Sequence, residues 1–232
     1  MNAQWIDIPS NDGHTFSGYL SLPPTGHGPA IVLVQEIWGV NEHIRAVADQ
    51  YALAGYVVLA PDIFWRMQAR VDLDYDEAGT KQAFGYYQTI NAAQAADDVA
   101  AAVAWLRQRP EANGKVATLG YCLGGRLAFM AAALSQADAA VCFYGGGIEQ
   151  QLHLAGQITQ PILFHYAADD QHIPHSAVAA VKQAFSGKSN AHFFDYPGVG
   201  HGFNCWGRQA AYNQSAASLA TGRTLCFLAE QL

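Results

Sequence analysis

The sharpest chemical signal in the chain is a cysteine bracketed by glycines, Gly120-Tyr121-Cys122-Leu123-Gly124-Gly125, lying between an apolar run and an apolar helical stretch, Leu127 to Leu134. A residue at such a strand-to-helix turn is forced into a strained backbone conformation. The positions two away must then be small for strand and helix to approach, and both are glycine. The positive end of the following helix favours the thiolate, the form that attacks. Cys122 is thus the candidate nucleophile. Of nine histidines, His201 is the best candidate base, because Gly198-Val199-Gly200-His201-Gly202-Phe203 is a flexible loop after the last predicted strand. The acid that orients it is expected in Asp169-Asp170-Gln171-His172-Ile173-Pro174. Asp170, just ahead of the apolar-Pro pair, is favoured, with Asp169 as a turn or cap residue. Backbone N–H groups of Leu123 and of Ile37, in Gln35-Glu36-Ile37-Trp38-Gly39, are the expected oxyanion donors.

These groups need a frame, and the apolar pattern supplies one. Trp5 to Ile8 and Thr15 to Leu22 read as a hairpin turning at Asn11-Asp12-Gly13. Ala30 to Val34, a helix over Glu42 to Ala54, and Tyr56 to Ala60 form a βαβ unit. Ala96, Val99, Val103 and Leu106 lie at helical spacing before Pro110, and the strand Lys115 to Leu119 leads to the cysteine. Ala139–Tyr144, Pro161–Tyr166 and Ala191–Tyr196 follow as strands, and Ala210 to Leu228 as a closing helix. Buried strands alternating with helices imply an α/β protein with a mostly parallel, doubly covered sheet, a three-layer sandwich. The order Cys122, Asp170, His201 is that of the α/β-hydrolase fold, not of papain-like enzymes. The long stretch Asp62 to Gly85 lacks periodicity and reads as a lid or binding loop.

At 232 residues, 51% hydrophobic and 13% charged, the chain suits one domain over 1–232. The net charge of −7 without a Lys/Arg cluster argues against nucleic acid or an anionic membrane as partner and for a small molecule. No signal-peptide pattern or bilayer-length apolar run is present, so a cytoplasmic location is expected. The cysteines 122, 142, 205 and 226 are too scattered for a zinc knuckle or disulfide framework. His165 at a strand end, and His43, His153, His172, His175 and His192 in polar surroundings, read as surface or packing residues. His172 and His175 lack further ligands nearby, so no metal and no cofactor are expected.

Val34-Gln35-Glu36-Ile37-Trp38-Gly39-Val40-Asn41, the Cys122 motif and Gly200-His201-Gly202-Phe203 together resemble the dienelactone hydrolase family along nearly the whole chain. The resemblance implies a Cys122–Asp170–His201 triad that opens a lactone through an acyl-enzyme, a carboxymethylenebutenolidase reaction, with Glu36 helping to form the thiolate. That family holds its substrate carboxylate with two arginines. Here Cys205 stands at one position and Thr80-Lys81 lies near the other, so neutral esters compete with dienelactone as substrates, with Arg208 and Lys81 as possible replacements. A broad carboxylesterase or thioesterase, or a thiol-based sensor or ligand-binding protein without turnover, is the alternative. Trp38, Tyr144, Phe84, Trp65 and Tyr86 are candidate pocket walls.

Overall fold

The computed structural model describes residues 2–232. Strands β1 (Asn2–Pro9) and β2 (Thr15–Leu22) form the expected antiparallel hairpin, with Trp5 opposite Tyr19. β3 (Gly28–Val34), α1 (Glu42–Leu53) and β4 (Val57–Pro61) follow as the βαβ unit. Next come α2 (Glu77–Thr89), α3 (Ala92–Arg107), β5 (Ala112–Tyr121), α4 (Leu123–Leu134) and β6 (Ala139–Phe143). A 3-10 segment (Ile148–Gln157), β7 (Ile162–Ala167), α5 (His175–Ala184), β8 (Ala191–Tyr196) and α6 (Gln214–Gln231) complete the order. The strands make one sheet, β1-β2-β4-β3-β5-β6-β7-β8. Only β1–β2 and β2–β4 pair antiparallel, and the rest are parallel.

The order of strand connection reverses beside β3. The chain leaves β3 through α1 toward β4 on one side, and reaches β5 on the other through α3. Because crossovers in such sheets are right-handed, α1 and α3 lie on opposite faces. α4 packs against α3, and α6 lies against β6 and β7, where Thr224 Oγ1 meets His165 Nε2 at 3.0 Å. Helices on both faces bury the central strands: every residue of β4, β6 and β7 is buried. Where neighbouring strands send their helices to opposite faces, a crevice opens beyond their carboxyl ends. Here that crevice is bounded by the segments after Val34 and Tyr121.

One expectation needs revision. The stretch 62–85 is not irregular throughout, because α2 begins at Glu77, capped by the Asp76 carboxylate accepting from the Gly79 N–H at 2.7 Å. Only Gly79 and Ala83 of this helix are buried, so no apolar stripe announces it. The segment before it is tied down at buried Asp98 of α3, which accepts from Trp65 Nε1 at 2.8 Å and pairs with Arg66 at 2.8 Å. Among the described residues no helix is long and apolar enough to cross a membrane.

Candidate active site

Cys122 stands between β5 and α4 with φ 57° and ψ −116°, a backbone conformation that costs a non-glycine residue on the order of 1–3 kcal/mol. Its surroundings impose that cost. A Cβ on Gly120 would lie 2.0 Å from the Gly124 carbonyl oxygen, and one on Gly124 would lie 2.3 Å from that of Val34. Strand and helix therefore approach as closely as glycine allows. The Cys122 N–H donates to the Phe143 carbonyl at 3.0 Å, which ties the turn to β6. Leu123 is the first residue of α4, so its N–H has no acceptor within the helix. Leu123 and Ile37 line the same cavity as the thiol.

Asp170 lies past the end of β7, with its side chain 1% exposed. Its Oδ1 accepts from the backbone N–H groups of His172 at 2.8 Å and Ile173 at 3.1 Å, and its Oδ2 receives His201 Nδ1 at 2.8 Å. Burial alone would raise its pKa, but the bonds from His201 and the two N–H groups outweigh it and hold the carboxyl below the usual range. Asp169 next to it is exposed. His201 stands between Asp170 and Cys122, its ring edge-on to Tyr144 at 5.1 Å. Burial favours the neutral imidazole, yet the electrostatic influence of Cys122 and the bond to Asp170 prevail and raise its pKa to about 10. An acid bonded to an imidazole, and a thiol lining the same cavity as that imidazole, are thus brought together. Such a relay can deliver a proton to a leaving group and take one from water.

The cavity over Cys122 measures about 390 Å³, suited to a small ligand. Trp38, Phe84, Thr80 and Tyr87 form its walls, with Glu149, His172 and Arg208 as polar groups. The Arg208 guanidinium stacks on the Trp38 ring at 4.8 Å, and among the described residues it pairs with no acid. Gly202, at φ 83°, leaves it room, since a Cβ there would lie 2.7 Å from an Arg208 nitrogen.

Several predicted neighbours fall elsewhere. Lys81 is exposed and does not line the cavity; one helical step of 100° separates it from Thr80, which does. Tyr144 is fully buried behind His201. Trp65 stacks on Phe16 at 5.6 Å and Tyr86 on Phe64 at 5.2 Å, both outside the cavity lining. Glu36 is 1% exposed. Its carboxylate approaches Cys205 and Tyr75 without good hydrogen-bond geometry, and burial drives its pKa up. Among the described residues no hydrogen bond joins it to Cys122. Sequence reasoning missed Tyr87, Gly146, Gly147, Glu149 and Gln150, and took His172 for a surface or packing residue. The position of 146–150 just past β6 was the available signal, since ligands in open α/β sheets sit beyond strand carboxyl ends.

A profile of the dienelactone hydrolase family matches residues 16–232. The chain is 34% identical over 230 residues to carboxymethylenebutenolidase 1 of Cupriavidus pinatubonensis, covering 99% of this chain and 97% of that protein. It is 36% identical to the carboxymethylenebutenolidase of Pseudomonas putida, with the same coverage. The solved structure of a candidate dienelactone hydrolase from Klebsiella pneumoniae superposes with a TM-score of 0.86 at 28% identity, covering 98% of each chain.

Proposed function

Because the chain belongs to the dienelactone hydrolase family and is a hydrolase of that type, we propose that it opens a lactone or cleaves a small ester through an acyl-enzyme on Cys122. The observation that carries this reading is the 2.8 Å bond from His201 to Asp170, with His201 and Cys122 lining one cavity. The Cys122 thiolate attacks the carbonyl carbon, and the N–H groups of Leu123 and Ile37 stabilise the oxyanion that forms. His201, protonated at the outset, gives its proton to the departing oxygen as the ring or ester bond breaks. Water then attacks the thioester while neutral His201 takes its proton, and collapse returns the thiolate, the imidazolium and a carboxylic acid. Glu36 lies toward Cys205 and Tyr75, and we assign the thiol's proton to His201, the imidazole held by Asp170.

A substrate carboxylate would be held by Arg208 over Trp38. The guanidinium thus reaches the cavity from a position three residues beyond Cys205. The experiment is hydrolysis of dienelactone, neutral aryl esters and thioesters by the native protein and by Cys122→Ala. Turnover of dienelactone that disappears in the variant supports the lactonase reading. Neutral esters alone, still dependent on Cys122, would keep the chemistry and change the substrate class. Activity unaltered by Cys122→Ala overturns the mechanism.

A further inference from the structure

We propose that Glu36, His43 and Cys205 bind a divalent transition-metal ion, zinc by the chemistry of the donors, beneath a surface cleft separate from the substrate cavity. The three side chains come from the segment after β3, the first turn of α1 and the loop after His201. One ligand atom of each lies within 4.8 Å of the other two, and all three residues are buried. Buried polar atoms nearly always have partners. Here His43 Nδ1 and both carboxylate oxygens of Glu36, a side chain 1% exposed, have none. The His43 ring is held between Trp206, centroid to centroid 4.2 Å, and Tyr75 at 6.1 Å, so its orientation is set before any ion arrives. The Tyr75 hydroxyl, buried and also unpartnered, borders Glu36 and Cys205 and can donate to a metal-bound sulfur.

Imidazole, thiolate and carboxylate form a mixed set that zinc accepts in tetrahedral geometry. A dication against one thiolate and one carboxylate leaves no net charge in the interior, and binding releases to solvent the thiol proton and any proton held by the buried Glu36 carboxyl. Ligands of a tetrahedral zinc lie roughly 3.3–3.8 Å apart, so closing on the ion takes side-chain movement of about 1 Å. His43 lines a cleft of about 320 Å³ whose walls include Glu42, Asp72 and Asp74, which draw cations toward it.

The test is titration of chelator-treated, reduced protein with Zn²⁺ and with Co²⁺. One ion per chain is expected, with a visible sulfur-to-cobalt absorption and a melting temperature a few degrees higher with zinc in excess. Binding should persist in Cys122→Ala, which removes the thiol that shares the substrate cavity with His201. It should weaken in Cys205→Ser and His43→Gln by more than the roughly 10–100-fold that losing a mere supporting partner costs. No stoichiometric binding by the folded native protein overturns the proposal. So does loss of binding in Cys122→Ala, which would place the ion on Cys122 and His201, and this arm decides even where a buried substitution prevents folding. None of these readouts depends on hydrolysis, so failure here leaves the proposed reaction standing.

Discussion

Asp170 and Asp169 are adjacent in sequence and differ in everything the chemistry needs. One is buried and bonded to His201, the other is exposed. Asp170→Asn removes the charge that holds the imidazolium and invites the wrong tautomer, so kcat should fall by about 100- to 10,000-fold. Asp169→Asn should stay within about 3-fold, as surface changes do. Steady-state kinetics on one ester checks both, and equal losses would discard the assignment. The choice between them could be argued from spacing, because an acid ahead of Ile173-Pro174 meets the backbone N–H groups that start the next turn. Cys122 and His201 were legible because glycines flank both: Gly120 and Gly124 leave no room for a Cβ beside the cysteine, and Gly202 takes φ 83° after the histidine. Glu36, His43 and Cys205 were not legible as a group, since residues on three separate segments carry no common spacing.

At the scale of elements, the turn between β5 and α4 depends on absent atoms. Gly124→Ala would drive a Cβ against the Val34 and Gln35 carbonyl oxygens, at 2.3 and 2.5 Å, and neither backbone can yield without moving β3. A loss of at least about 2 kcal/mol is expected, together with displacement of Ile37 and loss of activity. Gly222→Ala is the contrasting case. It lies in α6 with nothing within 4 Å of the new Cβ, and should stabilise by about 0.5–1 kcal/mol. Urea denaturation of both variants measures the contrast; destabilisation by Gly222→Ala would contradict it. The strands were readable from sequence because those covered on both faces must be apolar throughout. α2 and α5 were not, because α2 buries only Gly79 and Ala83, and α5 only Ala177 and Val181. A helix that rests lightly on its neighbours leaves little periodic trace.

The whole molecule carries a net charge of −7, yet its cavity holds a guanidinium free of acid partners among the described residues. An anionic substrate thus meets general repulsion, with Glu149 adding to it at the cavity and Arg208 opposing it, and the Arg208 contact should decide which acids are accepted. Arg208→Ala should lower kcat/KM for a carboxylate-bearing lactone by about 10–100-fold and for a neutral ester by less than about 3-fold. Arg208→Lys should restore only part of the loss, because an ammonium can neither fork onto a carboxylate nor stack on Trp38 as a plane. Equal effects on both substrates would show that Arg208 serves packing instead. The reacting groups and the walls sit on different kinds of support. Cys122, Asp170 and Ile37 sit just beyond sheet strands, whereas Thr80, Phe84 and Tyr87 ride on α2, with two buried residues beneath them. Descendants can rewrite the diet of the enzyme through one lightly anchored helix while inheriting its chemistry unaltered.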